Sequence, residues 1–285
     1  QYHCQQQFQL VGSIPQPARR QGGHSPREMD KQKYEQPNTN AGMDSAVISS
    51  PVNGLFVELV QVSMGIKPTM SRMPNMTEWD EMFVLAMSNY VEGICFQGVV
   101  RLAEMNGGGC RQIGIDQDTF HRWATKTYRI VDRNKVIADQ CVSVRRKLGE
   151  AGFATAIVKG QGLMPFYGSM AQFRRPGDID VWVADTAESV MEYAMRLTPT
   201  REFDWKHTHL AVLRGTSVEL HWLPSVAVNP RLDRRYRLYY AAQAPMQCRR
   251  DSADGGVGAQ MAAPDAMFNS VYLVAHLYSH FVYDK

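Results

Sequence analysis

Two aspartates separated by a single residue, Asp178 and Asp180, are the part of this sequence best suited to catalysis. The run that contains them is strand-like, and alternate side chains of a strand leave the same face. Both carboxylates therefore share a face with Trp182, while Ile179 and Val181 point into a core. Adjacent carboxylates repel one another and need a cation, and oxygen ligands favour Mg²⁺ or Mn²⁺. The pair predicts a divalent-metal site; a solvated strand end carrying two acids is the alternative.

A third acid, Glu219, lies in a second strand-like run, Val218–Trp222. On a strand next to the aspartates it would complete a set of three carboxylates, and His221 would share its face. An edge strand with a polar outward face explains the same residues equally well. Glu219 is thus a candidate metal ligand whose role depends on where its strand pairs.

The turn Lys159-Gly160-Gln161-Gly162 follows a predicted buried strand and is a candidate anion site. Glycines at such a turn let backbone amides approach a phosphate. The turn has neither the Gly-Lys-Ser/Thr of a P-loop nor the Gly-x-Gly-x-x-Gly of a dinucleotide fold. Many strand-to-helix turns carry two glycines, so this motif alone does not establish phosphate binding.

Taken together and in order, three motifs carry a family resemblance. They are Lys159-Gly-x-x-Leu, Gly177-Asp-Ile-Asp and Glu219-Leu-His-Trp. In this combination the sequence resembles the bacterial uncharacterised nucleotidyltransferase family, a branch of the polymerase-beta-like nucleotidyltransferase superfamily. The likeness extends from about Thr77 to His280.

The resemblance implies an enzyme that moves a nucleoside monophosphate from a nucleoside triphosphate to a hydroxyl group by two-metal catalysis. Asp178, Asp180 and Glu219 match the metal-binding carboxylates of the family, with Mg²⁺ or Mn²⁺ as the ions. Gly160 and Gln161 match the loop that cradles the triphosphate, although Gln161 replaces the usual small residue. The residues implied to neutralise phosphate charge are Lys159, Arg174 and Arg175.

Two other functions remain open. A non-catalytic nucleotide-binding or interaction module would keep the fold, which the departure at Gln161 favours. A transition-metal hydrolase would use His207, His209 and His221. A polar strand face explains the His-x-His pattern more simply, and substrate orientation or no role is preferred to metal ligation. As an alternative to phosphate binding, Arg175 pairs with a nearby acid. No motif identifies the acceptor, which is a small molecule or a protein.

The elements predicted around these motifs define an α+β protein: a helical region, a small mixed β-sheet forming the nucleotidyltransferase core, and a C-terminal helix. A long amphipathic helix capped by Asp116 or Asp118 and ended near Gly152 precedes the core. The core elements expected from hydrophobic period are strands at 154–158 and 178–183, short helices at 163–170 and 187–197, and a hairpin of 210–213 with 217–222.

Four segments are predicted along the chain. Residues 1–42 are rich in Gln and Pro, which predicts a disordered leader or an artefact of the gene model. Residues 43–152 form the helical region and residues 153–263 the α/β core. Residues 264–285 are the start of a C-terminal helical region that the end of the sequence truncates.

Bulk composition excludes several classes of protein. The 285 residues carry a net charge of +3, a surplus too small to make nucleic acid the expected partner. Five scattered cysteines without a Cys-x-x-Cys pair indicate neither a zinc knuckle nor a disulfide framework, and favour the cytoplasm. No apolar run approaches the roughly 18 residues of a membrane span, and the N-terminus lacks the order of a signal peptide.

Overall fold

A computed structural model of the chain describes residues 51–198, 204–210, 213, 215–250 and 262–283. The fold is mixed α+β, with helices before and after a small four-stranded mixed sheet, as the sequence predicts. Two compact units divide the chain, one within Gln1–Asn89 and Ile94–Trp123, the other within Tyr90–Gly93 and Ala124–Lys285. The predicted leader, residues 1–42, lies outside the described residues. No helix in the described part is long and apolar enough to cross a membrane.

The first unit is helical and is built around two fully buried tryptophans. The rings of Trp79 and Trp123 lie 6.5 Å apart, and the Trp79 indole donates a hydrogen bond of 2.8 Å to the carbonyl of Ile113. Asn75 and Glu78 form a capping box at the start of the second helix. The helices are α1 (Pro51–Ser63), α2 (Met76–Ser88), α3 (Glu92–Met105) and the first turns of α4 (Gln117–Glu150).

Both predicted ends of the long helix α4 are confirmed. The Asp116 carboxylate accepts a hydrogen bond of 2.9 Å from the backbone N–H of Thr119, which satisfies a free donor of the first turn. Gly152 follows the helix with a φ of 97°, a left-handed conformation that glycine adopts without steric cost. The apolar stripe of this helix then packs on the sheet of the second unit.

Four strands form the sheet of the second unit in the order β1-β2-β4-β3. The central pair, β2 and β4, is parallel, and both flanking pairs are antiparallel. The elements are β1 (Thr155–Val158), α5 (Lys159–Gly162), β2 (Ile179–Val183), α6 (Ala187–Leu197), β3 (His207–His209), β4 (Val218–His221), α7 (Pro230–Gln247) and α8 (Ala266–Tyr283).

The two faces of the sheet are buried by different helices. Val181 and Leu220 pack with side chains of α4 and α6. Trp182, on the opposite face, packs with α7 and α8, and its ring stacks on Phe268 at 5.1 Å with the planes 9° apart. Asp180 shares the face of Trp182, as alternation along the strand predicts. The acids therefore lie on the side of the sheet that α7 and α8 cover.

Three local predictions were wrong. The first hairpin strand is His207–His209 rather than residues 210–213, because the ladder begins with the pair His207 and His221; residues 211, 212 and 214 lie outside the described residues. The strand predicted at 178–183 begins at Ile179, so Asp178 precedes it. The helix predicted at 163–170 is replaced by two 3₁₀ segments, Met164–Phe166 and Gly168–Phe173, in a stretch where Pro165 lacks a backbone N–H.

Helix α7 was not predicted. Its start carries a recognisable signal, since the Asn229 side chain accepts hydrogen bonds from the N–H groups of Arg231 and Leu232, and Pro230 occupies the first helical position. A polar, arginine-rich sequence and the internal Pro245 obscure the apolar period by which an amphipathic helix is recognised. The missed helix covers one side of the site.

Candidate active site

Pairing between β2 and β4 brings two of the three predicted acids together. Asp180 and Glu219 are register partners on these parallel strands, so their side chains leave the sheet side by side. Asp180 is 2% exposed. Asp178, one residue before β2, is exposed and lines the same cleft as Glu219.

A histidine lies between the two paired acids. His221, fully buried, places its Nε2 2.9 Å from Asp180 Oδ1 and 3.1 Å from Glu219 Oε2. Asp180, Glu219 and His221 each bring one potential ligand atom within 4.8 Å of the others. The sequence placed His221 on the face of Glu219 without giving it this contact with Asp180.

Among the described residues, Lys159 brings a positive charge close to the acids. This residue follows β1 with a φ of 49°, the left-handed region, and its ammonium lies 2.5 Å from Asp180 Oδ1 and 4.0 Å from Glu219 Oε2. The Lys159 side chain is thus directed at the acids and is largely buried. The Lys159 ammonium therefore neutralises the acids from a position that a bound metal cation would otherwise occupy.

The three acids have different affinities for a proton. Burial alone would raise the pKa of Asp180, but the hydrogen bond from His221 and the Lys159 ammonium hold it well below its usual range. Burial likewise opposes ionisation of Glu219, yet the His221 hydrogen bond lowers its pKa. For Asp178, partial loss of hydration and the charges of Asp180 and Glu219 raise the pKa. The paired acids are therefore held as carboxylates.

The loop after β1 has no space for a side chain at Gly162. A Cβ added at Gly162 would lie 2.2 Å from the carbonyl oxygen of Ile157. Gln161 is buried and points away from the cleft, its amide donating to Asn134 on α4 at 3.2 Å. Gly160 lies beside Arg174, whose Nη1 would be 3.4 Å from a Cβ at that position.

The two predicted arginines have separate environments. Arg174 Nη1 is buried and has no hydrogen-bond partner among the described residues. Arg175 instead pairs with the buried Glu92 at 3.2 Å and lies over the ring of Tyr90 at 4.7 Å. The alternative that Arg175 pairs with a nearby acid is the arrangement found here.

The cleft beside the acids has a volume of about 890 Å³, within the range typical of small-molecule sites. Trp205, 86% exposed, stands in its wall. Helices α7 and α8 contribute Arg237 and His276, and the side chain of His280 lies outside the described residues. Charged side chains of both signs line it, which suits a ligand with anionic and polar parts: Lys159, Asp178, Asp204, Lys206, Glu219, Asp233 and Arg237.

The model of the uncharacterised nucleotidyltransferase family matches residues 75–285. The chain belongs to this family. No curated protein and no solved structure matches it. The matched region includes the whole sheet, the loop after β1 and both helices that border the cleft. Family membership therefore supports nucleotidyl transfer as the general activity of this nucleotidyltransferase-family protein.

The donor set of the nucleotidyltransferase cleft fits a divalent cation. Asp180 and Glu219 offer adjacent carboxylate oxygens, and the Lys159 ammonium already stands against them as a positive charge. Asp178 opens on the same cleft and would add a third carboxylate. Hard oxygen donors of this kind suit Mg²⁺ or Mn²⁺.

Two further histidines lie on β3 next to the acids. His209 pairs in register with Glu219, and His207 with His221. The ring centroids of His207 and His209 are 5.3 Å apart. Burial and the neighbouring His221 lower the pKa of His207 to about 4, so its imidazole is neutral at neutral pH. Because register partners leave the same face of a sheet, both β3 histidines lie on the face that carries Glu219 and His221.

Proposed function

We propose that the protein transfers a nucleoside monophosphate from a magnesium-bound nucleoside triphosphate to a hydroxyl group of a small-molecule or protein acceptor. The observation that carries this proposal is the side-by-side placement of Asp180 and Glu219 on parallel strands, with Asp178 on the wall of the same cleft. Membership of the nucleotidyltransferase family supports it.

Asp178, Asp180 and Glu219 would hold the divalent cation, Mg²⁺ or Mn²⁺. The bound ion supplies charge neutralisation for the phosphates and makes the acceptor hydroxyl easier to deprotonate. His221 orients the two paired acids by donating its single Nε2–H between them, since it lies within 3.1 Å of both. The residues of the chain thereby fix the acids before any ligand arrives.

Lys159 and Arg174 are the cations proposed to meet the triphosphate. Lys159 is held by Asp180 at 2.5 Å, and Arg174 keeps a buried guanidinium nitrogen without a partner among the described residues. Both border Gly160, where a missing side chain leaves room for the phosphates near backbone amides. Gln161 would support this loop from behind through Asn134 rather than touch phosphate.

The cytoplasm is the compartment proposed for this reaction. The described cysteines, which are Cys95, Cys110, Cys141 and Cys248, are all free thiols. Free thiols fit a reducing compartment. Nucleic acid is not proposed as the acceptor, because the net charge of +3 provides little excess positive surface.

The experiment measures binding of each ribonucleoside triphosphate to the full chain with and without Mg²⁺, followed by pyrophosphate release with panels of small-molecule and protein acceptors. Asp180→Asn and Glu219→Gln keep side-chain shape and remove one charge each. We expect either change to reduce pyrophosphate release by about 100-fold or more, because a preorganised charge at the reacting phosphate is lost. Asp139→Asn, an exposed acid on α4, is the matched control and should behave as the unchanged protein.

A non-catalytic nucleotide-binding module is the second candidate. The Lys159–Asp180 ion pair favours it, because a lysine fixed on the acids would exclude a metal. Such a module would bind nucleoside triphosphate with the same affinity in the Asp180→Asn variant and release no pyrophosphate with any acceptor. Absence of both nucleotide and metal binding in the unchanged protein would reject both candidates.

A further inference from the structure

The strand β3 adds two imidazoles to the acid cluster from the side opposite β2. His207 and His209 are two residues apart on a strand and therefore leave the same face. Their register partners on β4 are His221 and Glu219, respectively. Thr208, between the histidines, is buried at 3% exposure and pairs with Leu220 of the core, which fixes the orientation of the strand.

Three of these side chains converge on one point. His207, His209 and Glu219 each bring a potential ligand atom within 4.8 Å of the other two. His207 Nε2 lies 3.9 Å from Glu219 Oε2. Ligand atoms of a tetrahedral zinc site, with bonds of 2.0–2.2 Å, are about 3.4 Å apart. Small side-chain rotations would therefore bring all three atoms to bonding distance of a single ion.

The donor types select the class of ion. Two imidazole nitrogens and one carboxylate oxygen suit Zn²⁺ and the neighbouring divalent transition metals, whereas Mg²⁺ prefers oxygen ligands and retained water. Glu219 and His207 also line the cleft, so a fourth coordination position would face its interior.

We propose that His207, His209 and Glu219 form a transition-metal site next to the proposed magnesium site, and that Zn²⁺ is an ion it would bind. Glu219 is common to both sites, since it is the register partner of Asp180 on one side and of His209 on the other. An ion held by the two histidines would draw this carboxylate away from Asp180. Transition-metal binding and nucleotidyl transfer therefore compete for one side chain; this consequence alone rests on the proposed function.

The test uses the full chain, freed of metal with a chelator and then titrated with Zn²⁺ or with Co²⁺ as a spectroscopic probe. We expect about one bound ion per chain and, with Co²⁺, the intense visible absorption of a four-coordinate site. His209→Ala should weaken binding by at least about tenfold, since loss of even a supporting group near a metal has that effect. His209→Asn is a second variant that preserves polarity and approximate size, and His121→Ala, on the first turns of α4, is the control.

The outcomes separate this site from its neighbours. Unchanged Co²⁺ affinity and spectrum in both His209 variants would overturn the proposal, as would binding that His209→Ala spares and His221→Ala removes. That second pattern would place the ion in the group of Asp180, Glu219 and His221 instead. Binding that His209→Ala weakens by at least about tenfold and His121→Ala leaves unchanged supports the proposal.

Failure of the proposed function is distinguishable from failure of this site. If Zn²⁺ binds through His209 and no nucleotide is ever turned over, the metal site stands and the enzyme proposal falls. If transfer occurs, we expect Zn²⁺ to inhibit the unchanged protein and to lose at least about tenfold of its inhibitory potency against His209→Ala. Equal inhibition of the two proteins would overturn the competition for Glu219.

Discussion

Lys159 determines the charge balance of the acid cluster. Its ammonium is 2.5 Å from Asp180 and 4.0 Å from Glu219, and its side chain is 19% exposed. At a separation of 4 Å and an effective dielectric constant near 20, two unit charges attract by about 4 kcal/mol. A divalent ion that approaches these acids must therefore displace or tolerate a positive charge already in place.

Replacing Lys159 with methionine should increase the affinity of the nucleotide-free protein for Mn²⁺. Removal of the competing charge is expected to tighten binding by roughly tenfold, which corresponds to about 1.4 kcal/mol. Electron paramagnetic resonance of free Mn²⁺ measures this directly. Lys147→Met, an exposed position on α4, is the control. Weaker Mn²⁺ binding in Lys159→Met would mean that Lys159 organises the acids rather than competing for them.

Residue-level prediction from the sequence succeeded where the information was local. Strand alternation placed Asp180 with Trp182 on one face, and the structure confirms this. The contact of His221 with Asp180 depends on the β2–β4 register, which joins segments about 40 residues apart in sequence. No periodicity within either segment encodes that register, so His221 and the Lys159 ion pair were beyond local reasoning.

Helix α4 holds the loop that carries the candidate phosphate-binding arginine. Asn134, 5% exposed, donates hydrogen bonds of 2.9 Å and 2.8 Å to the carbonyls of Gln172 and Arg174, and accepts one of 3.2 Å from Gln161. One buried amide thus ties both the Gly160–Gln161 turn and the Arg174 segment to the same helix. The geometry of the loop depends on its two donor hydrogens.

Asn134→Asp should destabilise the protein and weaken nucleotide binding together. Aspartate still accepts from Gln161 but donates nothing, so two carbonyls lose their partner at roughly 1–3 kcal/mol each. We expect a loss of about 2–6 kcal/mol in the free energy of unfolding by urea, with a parallel fall in triphosphate affinity. Gln117→Glu makes the same amide-to-acid change at an exposed position of α4. Full stability in Asn134→Asp would contradict the tether.

The start of helix α2 predicts a pH dependence. Glu78 accepts hydrogen bonds from Arg72 and from the backbone N–H of Asn75, and these lower its pKa to about 2. Because the folded-state pKa lies below the unfolded value near 4.5, the charged form stabilises the fold above pH 4.5. That contribution disappears as the pH falls from about 4.5 to about 2.

Glu78→Gln keeps an acceptor for Asn75 and removes the charge that pairs with Arg72. The stability advantage of the unchanged protein over this variant should be present at pH 6 and shrink between about pH 4.5 and 2. Urea unfolding followed at a series of pH values measures the difference. Glu81→Gln, at an exposed position of the same helix, is the matched control. An advantage that is constant with pH would exclude the ion pair as its source.

Element-level prediction depended on how much of each element is buried. Strands β1 and β2 are short apolar runs buried along their whole length, and both were located to within one residue. Strand β3 has a single buried residue, Thr208, between two histidines, so no apolar run marked it. Helix α7 is polar along most of its length, so it too lacks an apolar run that would mark it. Strand β3 and helix α7 carry weak hydrophobic signals because many of their side chains are polar or charged.

At the scale of the whole molecule, the candidate site belongs to one unit. Every described residue that lines the cleft lies between Lys159 and Ser279, within the second unit. The family match begins at residue 75. The predicted leader, residues 1–42, precedes the family match and lies outside the described residues.

Removal of residues 1–42 is therefore expected to leave the site intact. The shortened chain should bind magnesium-nucleotide within about twofold of the full chain, and its unfolding free energy should change by no more than about 0.5 kcal/mol, as for a surface change away from the core. Calorimetric titration and urea unfolding measure the two quantities.

Glu92→Gln in the full chain is the contrasting variant, because it removes the buried charge that pairs with Arg175 beside the loop. That variant should lose stability, because the partly exposed Arg175 guanidinium loses its buried carboxylate partner. A leader deletion that weakens nucleotide binding more than the Glu92 change does would show that residues 1–42 take part in the site.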